Sequence, residues 1–366
     1  MFFLLISLVL IIIFSNRSQN IEVDLKFNED NAYNNIEDQL DIGDRIPASR
    51  ASRECVEYFI SEFQKINPNF TYILHNFTVH STACQNVLFK LNENHKNIVI
   101  LSAHYDSRAE ATKGDSDKPV PGANDGASGS AVLIELANVF YERKDDLECQ
   151  IWFVFFDAED QGKDEGGYGI EDWDWCEGSM EFVDEIDHFY DSKQEEFDCM
   201  ILLDMVGGEG LQFIKEEYST SSLLEELFEV GRQLGYSNEF PIVPTSSLVF
   251  DDHVAFLEED ISVADLIINF WNNPEWPHHH TTHDDLSHIS KRNLKVTGTT
   301  IEQFIYNNYL QENDEVYVGN YPWEDNNNVS NQFIIYVFPI LLGISVFITF
   351  FFLIHRKTLK KREINS

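Results

Sequence analysis

The stretch Ile151-Trp152-Phe153-Val154-Phe155-Phe156-Asp157-Ala158-Glu159-Asp160 decides the fold of this chain. Six aromatic and β-branched residues make a run too short for an ordinary helix, and they read as a buried strand. The run ends in Glu159 and Asp160. An unpaired buried charge is costly, so acids at the end of a buried strand need a cause. In an open α/β sheet the carboxyl ends of the strands are where ligands bind. Successive side chains there point to different sides, so one carboxylate can hold a metal while the other handles protons.

The same pattern recurs outward from this stretch. The apolar run 97–103 ends at His104, in Ala103-His104-Tyr105-Asp106, and the run 200–203 ends at Asp204. Asp106 is placed to fix the tautomer of a metal-bound His104 ring. Asp125 lies in Gly122-Ala123-Asn124-Asp125-Gly126-Ala127-Ser128-Gly129, just before a helical stretch. A turn and helix cap is its plain reading, and a carboxylate bridging two metal ions is its functional one. His280 opens a His-Thr-x-x-Asp arrangement that ends at Asp284. Asp251-Asp252-His253 stands at a helix start, where capping and function read equally well. Several strand ends that bring His and Asp/Glu together point to a metal site with hydrolytic or acyl-transfer chemistry.

Periodicity predicts helices over 50–66, 128–143, 178–186, 221–234, 251–259 and 293–310. It predicts strands over 70–80, 86–91, 97–103, 151–156, 200–203 and 263–268. This alternation implies the α/β class: a three-layer α-β-α sandwich with a mixed, mostly parallel central sheet. The chain has 366 residues, and the part between its apolar ends suits one large domain. A formal charge of −38 excludes nucleic acid as a partner, because phosphate binding needs clustered Lys and Arg. It fits a solvated acidic surface, or steering of cationic substrates such as peptide amines. The 29 Phe fall in apolar runs and need no special role. Cys55, Cys84, Cys149, Cys176 and Cys199 show no C-x-x-C pairing, and one or two disulfides are compatible with them.

The ends carry an expectation of their own. Residues 1–19 read as a signal peptide or N-terminal anchor. Residues 20–310 form the catalytic domain, and 311–332 an acidic, Asn-rich stalk. The run 333–354 has no charge and would span about 33 Å as a helix, enough to cross a bilayer. The basic residues of 355–366 then face the cytoplasm, with the catalytic domain on the other side. Asn-x-Ser/Thr acceptors at Asn16, Asn69, Asn76 and Asn328 agree with an exported domain.

Taken in order, these motifs resemble metallopeptidase family twenty-eight, the zinc aminopeptidases and glutaminyl cyclases, over roughly residues 40–310. The resemblance implies a zinc exopeptidase-like fold and one or two zinc ions. It implies His104, Asp125, Asp160, Asp204 and His280 as ligands, with Asp125 bridging two ions where both are present. It makes Glu159 the general acid/base, and it places Asp106 and Asp284 behind the ligands. The text of 156–160, 202–209 and 251–257 is similar to the glutaminyl cyclase-like branch. There the counterpart of Asp251 joins a hydrogen-bond network with those of Glu159 and Asp204, and zinc is held by those of Asp125, Asp160 and His280. Asp265 and His279 depart from the animal cyclases, at positions expected in the substrate pocket. Three functions follow as expectations: a cyclase acting on peptide or protein N-termini, a zinc aminopeptidase, and a non-catalytic ectodomain on the same fold. The sequence names no oligomeric state.

Overall fold

The computed structural model describes residues 25–112, 118–163, 166–257 and 259–311. The expected N-terminal segment, membrane helix and basic tail lie outside them, as does nearly all of the stalk. Among the described residues no helix is long and apolar enough to cross a membrane.

Two helices come first, α1 (Glu29–Ile42) and α2 (Arg50–Ile66). Strands β1 (Thr71–Val79), β2 (Thr82–Leu91) and β3 (Asn97–His104) follow, then α3 (Ala127–Glu142) and β4 (Gln150–Phe156). Next are α4 (Glu177–Asp184), β5 (Glu196–Asp204), β6 (Lys215–Glu216), α5 (Ser221–Gln233) and β7 (Ser246–Ser247). The chain closes with α6 (His253–Leu257), β8 (Ser262–Ile267) and α7 (Lys291–Tyr309). The main sheet has the order β1-β2-β4-β3-β5-β8. β4, β3, β5 and β8 run parallel, while β1 and β2 join antiparallel at one edge.

All seven residues of β4 are buried, because both faces of the sheet are covered. Ile151, Phe153 and Phe155 join the core beneath α1, α2, α3, α5 and α7. Trp152, Val154 and Phe156 join the opposite core beneath α4 and α6. The phenylalanines fill the larger core: Phe63 stacks on Phe89 with ring centroids 3.7 Å apart, and Phe59 on Phe155 at 4.4 Å. Burying each such ring stabilises the fold by about 1.5–3 kcal/mol.

Most predicted elements fall within a few residues of those observed. α1 was not legible, since only Ala32 and Ile36 of its apolar residues are buried in an otherwise polar stretch. α6 covers five residues instead of the expected nine. The five cysteines are all buried and unbonded, so no disulfide forms.

The topology places the site. β3 connects through α3 to β4 on one side, and β5 connects through α5 to β8 on the other. The connections diverge between β3 and β5, which opens a crevice at their carboxyl ends. Gly129 lets α3 settle onto β5, since a Cβ there would come 2.0 Å from the Leu203 carbonyl oxygen. That close approach brings Asp125, just ahead of α3, to the end of β5.

Candidate active site

His104 at the end of β3 meets Asp204 at the end of β5: its Nε2 lies 3.2 Å from Asp204 Oδ1. The same nitrogen lies 3.1 Å from Asp125 Oδ1. On the other side of Asp125, His280 Nε2 stands 3.6 Å from Oδ2 and 3.1 Å from Asp160 Oδ1. The Asp125 carboxylate thus faces two ligand pairs, one with each oxygen. Asp125 Oδ2 and Asp160 Oδ2 are buried without a hydrogen-bond partner. Ligand atoms of His104, Asp125 and Asp204 lie within 4.8 Å of one another, as do those of Asp125, His279 and His280. Buried nitrogen and oxygen donors at this spacing, with carboxylate oxygens left unpaired, fit zinc.

Asp106 and Asp284 stand behind this set. Asp106 Oδ1 lies 3.5 Å from His104 Nδ1, on the ring nitrogen that faces away from Asp125 and Asp204. Its carboxylate also accepts the backbone N–H groups of Glu159 at 3.0 Å and Asp160 at 3.2 Å, and Gln161 Nε2 at 2.8 Å. Asp106 therefore shapes the turn that carries the acid pair. Asp284 does the same for Asp125, accepting the N–H groups of Asn124 at 2.8 Å and Asp125 at 3.0 Å. Burial first, then the Asp125 charge, pushes the Asp284 carboxyl up to about 7.

Glu159, Asp204 and Asp251 line one cavity of about 520 Å³ with Asp125, Asp160 and His280. Its walls include Trp175, Phe250, Phe270 and Trp271. Burial raises the Glu159 carboxyl well above its usual range; His104 opposes this, and Asp251 adds to it. Asp251 is raised likewise by burial and by Asp204. Ligand atoms of Glu159, Cys176 and Asp251 lie within 4.8 Å of one another. No hydrogen bond joins Glu159, Asp204 and Asp251 among the described residues, so what the structure shows of the expected network is proximity. The Asp251 carboxylate does not bond into the body of α6; it accepts only the next N–H, from Asp252.

Of the two departures, His279 lines the cavity but Asp265 does not. Asp265 is fully buried on β8, behind Asp251, because its side chain faces α6 and not the crevice. His253 is taken up by a buried hydrogen bond between its Nε2 and Glu216 Oε2 at 2.9 Å.

Sequence reasoning missed Arg108 and Trp175. Arg108 is fully buried and donates to the Asp160 carbonyl at 2.9 Å and to Asp160 Oδ1 at 3.2 Å. Its guanidinium lies 4.8 Å from the Trp175 ring centroid, and Trp175 in turn stacks on His280. A lone Arg after Asp106-Ser107 and a Trp among acids both read as solvated, so no local signal marked them. Backbone strain also gathers here. Ala158, Cys176, Met205 and His280 all have positive φ, a left-handed state that costs non-glycine residues about 1–3 kcal/mol and clusters at functional sites.

The family model described as Peptidase family M28 matches residues 86–305, more than half of the chain. The chain belongs to peptidase family M28. Aminopeptidase YwaD of Bacillus subtilis is 29% identical to this M28 chain over 220 residues, 59% of this chain and 42% of that protein. The chain thus spans about half the length, or less, of the curated relatives it matches. The solved glutaminyl cyclase of Bacteroides thetaiotaomicron, bound to N-acetylhistamine, is 28% identical with a TM-score of 0.68; the match covers 77% of this chain and 98% of that one. A Zn-dependent exopeptidase from Parabacteroides distasonis is 26% identical with a TM-score of 0.67, covering 77% and 99%. M28 membership and these neighbours support an enzyme of this kind, and they suggest zinc.

Proposed function

We propose that this M28 domain acts on unblocked peptide N-termini, and that it closes an N-terminal glutamine to pyroglutamate with release of ammonia. The observation that carries this reading is Asp251, buried, lining the cavity and close to Glu159. Cyclisation asks one group to accept a proton and deliver it to a leaving nitrogen. A second carboxylate nearby keeps Glu159 in the range where it can do both.

Asp125, Asp160 and His280 would hold one zinc ion, and His104 and Asp204 would complete a second subsite with Asp125. Bound there, zinc supplies positive charge that polarises the γ-carbonyl of the substrate. The neutral α-amine attacks the γ-carbon, and Glu159 takes the proton that this nitrogen sheds as it becomes the ring amide N–H. The bond from the γ-carbon to the side-chain amide nitrogen then breaks, and Glu159 delivers the proton to that nitrogen, which leaves as ammonia. Trp175, Phe250, Phe270 and Trp271 wall the cavity and limit the water that could compete with the amine.

One observation favours aminopeptidase chemistry as a second reading: the Asp125 oxygens are divided between two complete ligand pairs. Glu159 would then take a proton from the attacking water and pass it to the amine of the shortened peptide. Mass analysis of a Gln-initiated and a Leu-initiated peptide separates the two. Ammonia loss from the first peptide with both chains intact is expected. Release of free amino acids would overturn cyclisation, and no change to either peptide in the presence of zinc would sink both readings.

We further propose that the domain lies outside the cell, with the charge-free run 333–354 as its membrane anchor. The basic residues that follow this run support the placement. Protease added to intact cells should release the domain, and full protection would overturn the placement.

A further inference from the structure

We propose that Cys176 is a positioning residue for Glu159, its thiol donating a hydrogen bond to Oε1 and holding the carboxylate in one orientation for proton transfer. This rests on the reading of Glu159 as the proton-carrying group. Cys176 Sγ lies 3.5 Å from Glu159 Oε1, and both side chains are buried. No other hydrogen-bond donor reaches the Glu159 side chain among the described residues. His104 Nδ1 stands 3.8 Å from Oε2, beyond hydrogen-bond range. The other nearby groups include the acids Asp160, Asp251 and Asp252, whose charges repel that of Glu159.

The backbone is built to aim this thiol. Cys176 has φ +61° and ψ +26°, a left-handed conformation that a β-carbon disfavours by about 1–2 kcal/mol. The strain is held by a clamp. The Cys176 N–H donates to the Glu159 carbonyl at 3.0 Å, and the Glu177 N–H to the Ala158 carbonyl at 3.1 Å. Asn86 straps the same two segments, accepting the Asp157 N–H at 2.8 Å and donating to the Gly178 carbonyl at 2.7 Å. At Gly178 a Cβ would come 1.9 Å from the Asp157 carbonyl oxygen, so only glycine permits this contact. The first turn of α4 is thereby locked to the turn that carries Glu159.

A thiol suits the task because it is a neutral donor. Burial and the neighbouring Glu159, Asp252 and Asp251 charges raise the Cys176 thiol well above its usual range, which keeps the S–H intact.

The test compares Cys176→Ala and Cys176→Ser in the full chain, with zinc content and thermal midpoint measured beside turnover of a Gln-initiated peptide. We expect Cys176→Ala to lower kcat about tenfold, with KM and zinc content unchanged, and Cys176→Ser to recover most of that loss. Wild-type kcat in the alanine variant, or equal losses in both variants, would overturn the proposal and leave the function reading intact. Failure of the wild type to turn over any peptide would instead count against the function reading. A readout independent of activity is the infrared S–H stretch that Cys176→Ser removes. It should shift in Glu159→Gln, and an unshifted band would overturn the contact.

Discussion

Glu216 and Asp265 are two buried acids near the same imidazole, that of His253, and they live in opposite conditions. Glu216, on β6, accepts His253 Nε2, the N–H groups of Tyr218, Ser219 and Val249, and the Ser219 hydroxyl. Burial raises its pKa, but His253 and these donors outweigh burial and bring it below the usual range. Asp265 has no partner on either oxygen, and burial together with Asp251 pushes it well up. A buried carboxylate supplied with donors is a fastener. One left without them sits protonated, or waits for a proton or a cation. Asp160 and Asp251 stand between the two: one oxygen accepts from Arg108 or from the Asp252 N–H, and the other is buried without a partner.

This contrast predicts that site acids can be neutralised at little cost in stability, whereas fastener acids cannot. Its sharpest test is Glu159→Gln, which should lower kcat by about 10²–10⁴ and leave the thermal midpoint near that of the wild type. Full activity in that variant would remove Glu159 from the chemistry. Glu216→Ala should do the reverse, costing about 3–5 kcal/mol in denaturant unfolding because it strands His253 and several N–H groups. A cost under about 1 kcal/mol there would break the comparison from the structural side.

Glu135 gives a milder test, through pH. It accepts Asn28 N–H and Asn31 Nδ2, yet burial pushes it from 4.5 up to about 7. The folded state therefore keeps a proton that the unfolded chain releases near 4.5. Its contribution is complete below that pH, and it is lost as pH rises through about 7. Glu135→Gln should flatten that part of the profile of thermal midpoint against pH, by roughly 1 kcal/mol after allowance for solvent screening. An unchanged slope would contradict the shift. The smallest effect belongs to Asp265→Asn, which should stay within about 1 kcal/mol of wild type because no hydrogen bond ends on its carboxyl and burial already disfavours its charge. A loss as large as that of Glu216→Ala would erase the distinction.

The strands and the ligand types were legible because both are local. Six apolar residues ending in Glu159-Asp160, and similar runs ending in His104 and Asp204, state their burial and their chemistry in one stretch. Asp125 and Asp284 could be named but not given their exact work, since an N–H accepted by Asp284 leaves no trace in spacing. Asp106 was legible as the acid behind His104, but its bonds to two backbone N–H groups and the Gln161 amide, fifty residues on, left no trace in the spacing. Arg108, Trp175 and Cys176 gave no signal, because each matters only through what it touches.

The sequence by itself determined the sheet, its parallel centre and the residues able to bind metal. Those follow from the period of apolar side chains and from the cost of burying an acid without a reason. Only the tertiary structure decided which carboxylates are satisfied, which oxygen of Asp125 faces which histidine, and that a thiol touches Glu159. Hydrogen-bond partners from β2, β6 and α4 meet at single atoms, and the distances at which they meet exist only once the chain has folded.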